Sequence, residues 1–343
     1  MERDLLTKFL ALTSLDSLKL LNKKSIASTL TKSEGDVSDM KELQNKPKRK
    51  PLSLTISSGR LAGHQNGIDK ICQDEILISS LQTEESQAVL LSIFDGHGPD
   101  GHLVAQLGRS VLPGIFEKMM NDKATTQTKL SKGIERVFNE LDELVKSQGD
   151  IVNVEMSGST LVTVLIVAGR VYCAWVGDSR AMVAYQIEGV YSYQSLSVDH
   201  LPGLEIERNR ILASGGIIHP SKDAAGNFYG PKRVWNPKYS ERPAPGLMMS
   251  RSIGDFAGKE VGVSCKPDVV KRECSSSLKF LILASDGLWE VMSEAEVGEI
   301  VYPFLASETP SECARVVIEH ANARWSRNSP IYRDDISVII VFF

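Results

Sequence analysis

The sequence predicts an α+β protein in four layers, with two central antiparallel β-sheets packed face to face and helices outside them. Three observations carry this. Five short runs are almost continuously apolar and rich in Val, Ile and Phe: 89–94, 161–168, 171–176, 279–284 and 336–343. Two other segments repeat apolar residues at helical spacing. Two of the apolar runs are joined too tightly to be parallel.

The runs are too short for most helices and read as strands buried on both faces. Such strands need cover on both sides. Val104, Leu107, Val111 and Ile115 recur at three and four, as do Ala314, Val317, Ile318, Ala321 and Trp325, and these stripes supply helices for the outer layers. Runs 161–168 and 171–176 are separated only by Gly169-Arg170, a hairpin, which argues against a doubly wound parallel sheet. Residues 199–250 hold six of the 14 prolines and little apolar periodicity beyond a short helix near Glu205–Ala213. This stretch reads as a long irregular insertion over the surface, of a length that is usually functional.

Composition bounds the rest. With 343 residues, 39 Lys+Arg against 43 Asp+Glu and 42% hydrophobic residues, the chain is neither disordered nor a globally basic nucleic-acid binder. No apolar run approaches the roughly 18–20 residues of a bilayer span. The five cysteines, Cys72, Cys173, Cys265, Cys274 and Cys313, form no CxxC pair, so a disulfide framework or structural zinc is not expected. The net charge of −4 is uneven: residues 1–50 carry 11 Lys/Arg and 7 Asp/Glu, leaving 28 and 36 in the remainder. The expected organisation is a basic, Ser/Lys/Leu-rich extension over 1–50 followed by one globular domain over 51–343. In the extension Leu5, Leu6, Phe9, Leu10 and Leu12 fit a short amphipathic turn, and no clear signal peptide is present. Lys46, Lys48, Arg49 and Lys50 fit either a solvated basic linker or a nuclear-import signal read by an import receptor, so the expected location is cytoplasmic, nuclear or both.

The chemistry shows where the buried strands stop. Phe94 runs into Asp95-Gly96-His97-Gly98, Val176 into Gly177-Asp178-Ser179-Arg180, and Ala284-Ser285 into Asp286-Gly287; Arg333-Asp334-Asp335 precedes the last run. A carboxylate at the mouth of a core strand is costly unless paired or metal-bound. If these ends share one edge, several like charges converge and a cation must neutralise them. Oxygen donors without clustered Cys or His favour Mg²⁺ or Mn²⁺ over zinc. A lone Asp-Gly is an ordinary turn signal; the conjunction carries the inference.

The ordered set Phe94-Asp95-Gly96-His97-Gly98, Ser157-Gly158-Ser159-Thr160, Val176-Gly177-Asp178-Ser179-Arg180-Ala181, Met249-Ser250-Arg251-Ser252-Ile253-Gly254-Asp255, Ala284-Ser285-Asp286-Gly287-Leu288-Trp289-Glu290 and Asp334-Asp335 resembles the metal-dependent Ser/Thr protein phosphatases, the protein phosphatase 2C family. The resemblance covers about residues 52–343, and Phe94–His102, Arg233-Val234-Trp235 and Pro245-Gly246-Leu247 look most like plant and protozoan members. It implies a helix-flanked antiparallel sandwich and hydrolysis of phosphoserine and phosphothreonine by water that two Mg²⁺ or Mn²⁺ ions activate. By motif position, Asp95 bridges both ions and the Gly96 carbonyl binds one. Asp286 and Asp334 hold the other, Asp74 acts directly or through water, and Asp178 contributes to a third, weaker ion. His97 is the implied general acid. The 199–250 insertion falls where the family carries a flap beside the active site, and is expected, with 1–50, to choose phosphoprotein partners.

Three departures stand out. Gln73 sits where animal members often have Glu, and Glu290 replaces a common Asp. The family's basic phosphate-binding position holds Asp69, which leaves the neighbouring Lys70 as the candidate phosphate ligand and Arg60 as the alternative. Other chemistries fail on residues: no cysteine has Arg six positions on, no Gly-x-Ser-x-Gly elbow exists, and Gly258-Lys259 lacks the rest of a P-loop. The remaining competitor is a catalytically weak or inactive relative acting as a scaffold. A monomer is expected.

Overall fold

In the computed structural model, residues 54–82, 87–126, 128–239 and 244–343 are described. The 1–50 extension, its amphipathic turn and the Lys46–Lys50 run lie outside them.

The strands are β1 (Thr55–Leu61), β2 (His64–Gln65), β3 (Ile68–Asp69), β4 (Asp74–Gln82), β5 (Gln87–His97), β6 (Gly158–Ser159), β7 (Leu161–Val167), β8 (Arg170–Val176), β9 (Arg180–Ile187), β10 (Val190–Ser195), β11 (Ile217–Lys222), β12 (Phe228–Asn236), β13 (Ala244–Leu247), β14 (Ile253–Gly254), β15 (Asp268–Glu273), β16 (Leu278–Ala284), β17 (Tyr332–Arg333) and β18 (Ile336–Phe342). One main sheet runs β1-β18-β16-β9-β10. The other runs β14-β6-β5-β7-β8-β15, with β4 also on β5. All the strand pairs in these two sheets are antiparallel.

Alternation along the strands explains why both faces are apolar. On β16, Leu281 and Leu283 join Ile339, Val341 and Val183 against Leu91, Ile93, Val162 and Val164 of the facing sheet. Their neighbours Phe280, Ile282 and Ala284 point the other way, onto Ala314, Val317 and Ala321 of the helix Cys313–Asn328. The helices Gly101–Asn121 and Leu130–Lys146 supply the opposite outer layer. There the absent side chain of Gly108 makes room for the Phe94 ring. These are the four layers the apolar runs predict.

Two details differ from the sequence reading. The β7–β8 turn is Ala168-Gly169, with φ of 50° and 72°, and Arg170 already pairs with Val167. Two successive positive φ values give the turn twist that hairpins favour. The 199–250 insertion is more regular than expected. It contains the helix Glu205–Ala213 as predicted, but also a three-stranded sheet β11-β12-β13. That sheet sits on its own small core of Ile211, Val234, Leu247, Met249, Val261 and Val263.

Among the described residues no helix is long and apolar enough to cross a membrane, and all five cysteines are free thiols.

Candidate active site

Register places the acidic strand ends together. In one sheet Asp74 lies opposite Asp95, while Ile93–Val162 and Leu161–Val176 align the end of β5 with the end of β8. In the other, Arg180 at the start of β9 pairs with Ala284 at the end of β16, which pairs with Val338 near the start of β18. Asp178 lies in the three-residue crossing from β8 to β9. Asp286 follows β16, and Asp334 precedes β18. One edge of the sandwich therefore collects Asp74, Asp95, Asp178, Asp286 and Asp334.

Hydroxyls stitch this edge. Ser285 Oγ donates to Asp74 Oδ2 at 2.8 Å, tying the two sheets together. The Asp95 amide donates to Thr160 Oγ1 at 3.2 Å, and Thr160 Oγ1 lies 2.7 Å from Ser179 Oγ. The Gly96 amide donates to the Gln73 carbonyl at 3.2 Å.

The electrostatics are those of crowded carboxylates. Asp74 has no exposed surface, and burial pushes its carboxyl up to about 7, with Asp335 and Asp334 adding repulsion. Burial also lifts Asp95 well above the carboxylate range, and Asp286, Asp74, Asp334 and Asp178 add to it. Asp286 is raised by burial and then by Asp178 and Asp334. Asp178 is raised to about 6 by burial and then by Asp199. Asp74, Asp95 and Asp286, each raised by burial and then by neighbouring carboxylates of this edge, behave as one electrostatic unit.

This donor set fits a hard divalent cation. Asp74 Oδ1 and Asp178 Oδ1 are buried acceptors without a hydrogen-bond partner, a costly condition that a cation or water would relieve. Among the described residues no three His, Cys, Asp or Glu side chains form a ready-made metal cage. Mg²⁺ needs none, since it keeps several waters and takes only one or two carboxylates.

His97 ends β5 beside this cluster. Its Nε2 lies 2.7 Å from Asp255 Oδ2, and Nδ1 is buried without a partner. Burial alone would lower the imidazole, but Asp255 overrides it and the pKa lies above the ordinary histidine value. Asp255 is a residue whose role sequence reasoning missed, although it closes the quoted Met249–Asp255 motif. It has no exposed surface, and at φ 54° it takes the left-handed conformation. Ser252 Oγ donates to the same Oδ2 at 2.5 Å. Gly158 is required there: a Cβ would stand 2.2 Å from Asp255 Oδ2. Asp142 and Lys259 fasten the same turn from outside. The Gly254 amide donates to Asp142 Oδ1 at 2.9 Å, and Lys259 Nζ donates to Asp142 and to the Gly254 carbonyl.

The cations expected at the phosphate position are already engaged. Lys70 Nζ donates to Asp334 Oδ1 at 2.8 Å and lies over the Tyr332 ring, whose hydroxyl donates to Asp334 Oδ2 at 2.6 Å. Arg60 donates to the Asp74 carbonyl and pairs with Glu75 at 3.2 Å. Lys70 thus stands inside the site next to Asp334, and Arg60 points to its neighbour Glu75. Gln73 has a structural partner, Nε2 donating to the Gly98 carbonyl at 3.0 Å. Asp335 differs from Asp334: its oxygens accept from the Gly63 and Gln73 amides at 2.5 and 2.8 Å. Glu290 is exposed at the rim, its carboxyl raised by partial burial and then by Asp334 and Asp178. Burial pushes the Cys72 thiol up to about 12, which excludes it as a nucleophile at neutral pH.

The comparisons bear on family and fold. The family model described as protein phosphatase 2C matches residues 60–329. "Probable protein phosphatase 2C 73" of Arabidopsis thaliana is 32% identical over 330 residues, covering 88% of this chain and 86% of that protein. "Probable protein phosphatase 2C 64" of Oryza sativa subsp. japonica is 33% identical over 284 residues, covering 81% of this chain; the chain spans 64% of that relative's length. Among solved structures, a serine-threonine phosphatase 2C from Toxoplasma gondii superimposes with a TM-score of 0.61 at 23% identity, covering 83% of this chain and 99% of its own. A C. elegans sex determining protein gives a TM-score of 0.68 at 23% identity, covering 86% of this chain and 66% of its own. At such identity the two structures speak for the fold alone.

Proposed function

The chain belongs to the protein phosphatase 2C family, and from that premise we propose that it hydrolyses phosphoserine and phosphothreonine in proteins with the help of two Mg²⁺ or Mn²⁺ ions. The observation that carries the proposal is the gathering of five carboxylates at one sandwich edge, with buried oxygens lacking partners, beside a histidine backed by a buried aspartate.

When bound, the ions would supply Lewis-acid chemistry, acidifying water and offsetting phosphoryl charge. Asp95, the Gly96 carbonyl, Asp286 and Asp334 would hold them. Asp74 would act directly or through water, and Asp178 at a weaker third position. The chain's own residues do the rest. Asp255 fixes the His97 ring through Nε2 and favours the protonated imidazole, which leaves Nδ1, without a hydrogen-bond partner, as the nitrogen whose proton is not already donated. The imidazolium gives its Nδ1 proton to the departing Ser or Thr oxygen, a poor leaving group without it. Lys70, held beside Asp334, is the nearest candidate to meet a phosphoryl oxygen.

The test is Mn²⁺-dependent release of phosphate from a phosphothreonine peptide, with Asp286→Asn as control. Metal-dependent turnover lost in the variant is expected. A parent that binds Mn²⁺ yet releases no phosphate would instead mark a scaffold.

A further inference from the structure

Beside the carboxylates lies a cavity of about 400 Å³. It is lined by Asp178 and Asp286 of the site, by Met248 and Trp289, and by Pro231 and Lys232 of the flap. Its size is within the roughly 300–1,000 Å³ of ligand pockets and exceeds what a phosphoryl group needs.

The flap backbone brings Lys232 to this cavity. Along β11–β12, His219 pairs with Arg233 and Ser221 with Tyr229, so Gly230, Pro231 and Lys232 stand opposite Pro220 alone. Such a bulge re-aims side chains and is common beside active sites. It is pinned on its C-terminal side: Arg233 Nη1 donates to the Gly246 carbonyl at 2.7 Å, and Trp235 Nε1 donates to the His219 carbonyl at 2.8 Å while stacking on that imidazole.

Charge completes the case. Four carboxylates line the cavity, Asp178 and Asp286 of the proposed ion sites, Asp199 and Glu290; the other cation, Arg180, is held by a bidentate pair with Asp199 at 2.5 and 2.7 Å. Lys232 makes no ion pair among the described residues. The insertion holds seven Lys/Arg against five Asp/Glu, within a domain that is otherwise acidic.

We infer that the cavity receives a side chain adjoining the phosphorylated residue, and that Lys232 selects an acidic one there; this rests on the phosphatase reading above. An extended peptide advances about 3.3–3.6 Å per residue, so a side chain one or two positions from the phosphoresidue reaches the same cavity.

The test is a set of phosphothreonine peptides with Glu, Gln or Lys one and two positions to either side, assayed with Mn²⁺ on the full chain, Lys232→Gln and Lys232→Glu. The parent should favour Glu over Gln by about three- to fivefold in kcat/KM, the scale of a solvent-exposed ion pair. Lys232→Gln should level that ratio, and Lys232→Glu should turn it towards Lys. The same Glu-to-Gln ratio in parent and Lys232→Glu, or a parent that favours Lys, overturns the inference. If the parent also fails to hydrolyse p-nitrophenyl phosphate, which has no flanking residues, the phosphatase reading fails. Anisotropy of the same peptides carrying fluorescein then decides the subsite by the same ratios.

Discussion

His97 Nε2 and Asp255 Oδ2 are 2.7 Å apart, and the carboxylate that completes this pair has no exposed surface. A carboxylate so buried cannot relax into water, so its influence on the imidazole is strong. A general acid works only while protonated. The His97 pKa is raised, so the rate should hold to a higher pH than an ordinary histidine allows and fall above it. Asp255→Asn removes the largest raising influence and leaves burial, which lowers the pKa, opposed only by the smaller influences of Asp178 and the Asp95 backbone. The alkaline limb of kcat against pH should therefore move to lower pH. His97→Ala should slow phosphothreonine hydrolysis by about 10²–10⁴ while sparing p-nitrophenyl phosphate, whose leaving group needs no proton. An alkaline limb unmoved in Asp255→Asn would separate the two residues.

The carboxylate cluster makes a claim about stability. Asp74 is pushed up to about 7, above its unfolded value, so the folded chain holds a proton that the unfolded chain has released. The sign follows: without divalent metal, stability should decline as pH rises from about 4 to about 7. Asp74→Asn should flatten part of that decline in urea unfolding with chelator present. Excess Mn²⁺ at neutral pH should restore stability, by about 2.7 kcal/mol at a hundred times its Kd. Equal slopes for parent and variant would show that Asp74 does not titrate in this range.

Lys70 bears on the phosphate itself. Its ammonium is 2.8 Å from Asp334 and rests over Tyr332, so it is ordered before substrate arrives. A charged hydrogen bond to a phosphoryl oxygen is worth about 1.5–3 kcal/mol. Lys70→Ala should raise KM for p-nitrophenyl phosphate about tenfold or more. An unchanged KM would leave Lys70 as a support for Asp334 only.

The outer frame and the acidic edge were legible because burial on both faces writes continuous Val/Ile/Leu runs, and four of the five runs begin or end beside an Asp. The His97–Asp255 pair was not, because 158 residues separate its members and the left-handed backbone at Asp255 leaves no propensity signal. The flap sheet was hidden for another reason. Pro220 in β11 and Gly230-Pro231 in β12 break the period-two pattern at the bulge, and few of its side chains are buried, so it reads as loop. Lys70 and Asp334 are 264 residues apart, so their ion pair depends on the strand order, which local pattern does not encode.

Glu207 tests how the flap is fastened. Its side chain is almost fully buried in the helix Glu205–Ala213, and three donors converge on it: Arg251 Nη2 at 2.6 Å, Arg210 Nη2 at 2.8 Å and Ser250 Oγ at 2.6 Å. Burial alone would raise its carboxyl, but these bonds hold it down at about 2. A depressed carboxylate stabilises the fold above its unfolded pKa, near 4.3, and loses that contribution as pH falls towards 2. Glu207→Ala leaves two guanidinium groups facing a buried gap, although Arg251 keeps Asp268 at 3.0 Å. A loss of about 3 kcal/mol is expected at pH 7, shrinking as the pH is lowered from about 5. Because the helix and β11 share Ile211's small core, the damage should concentrate in the flap. Hydrogen exchange should quicken across 217–236 while β16 and β18 stay protected. Uniform quickening through both main sheets would mean that Glu207 supports the whole domain.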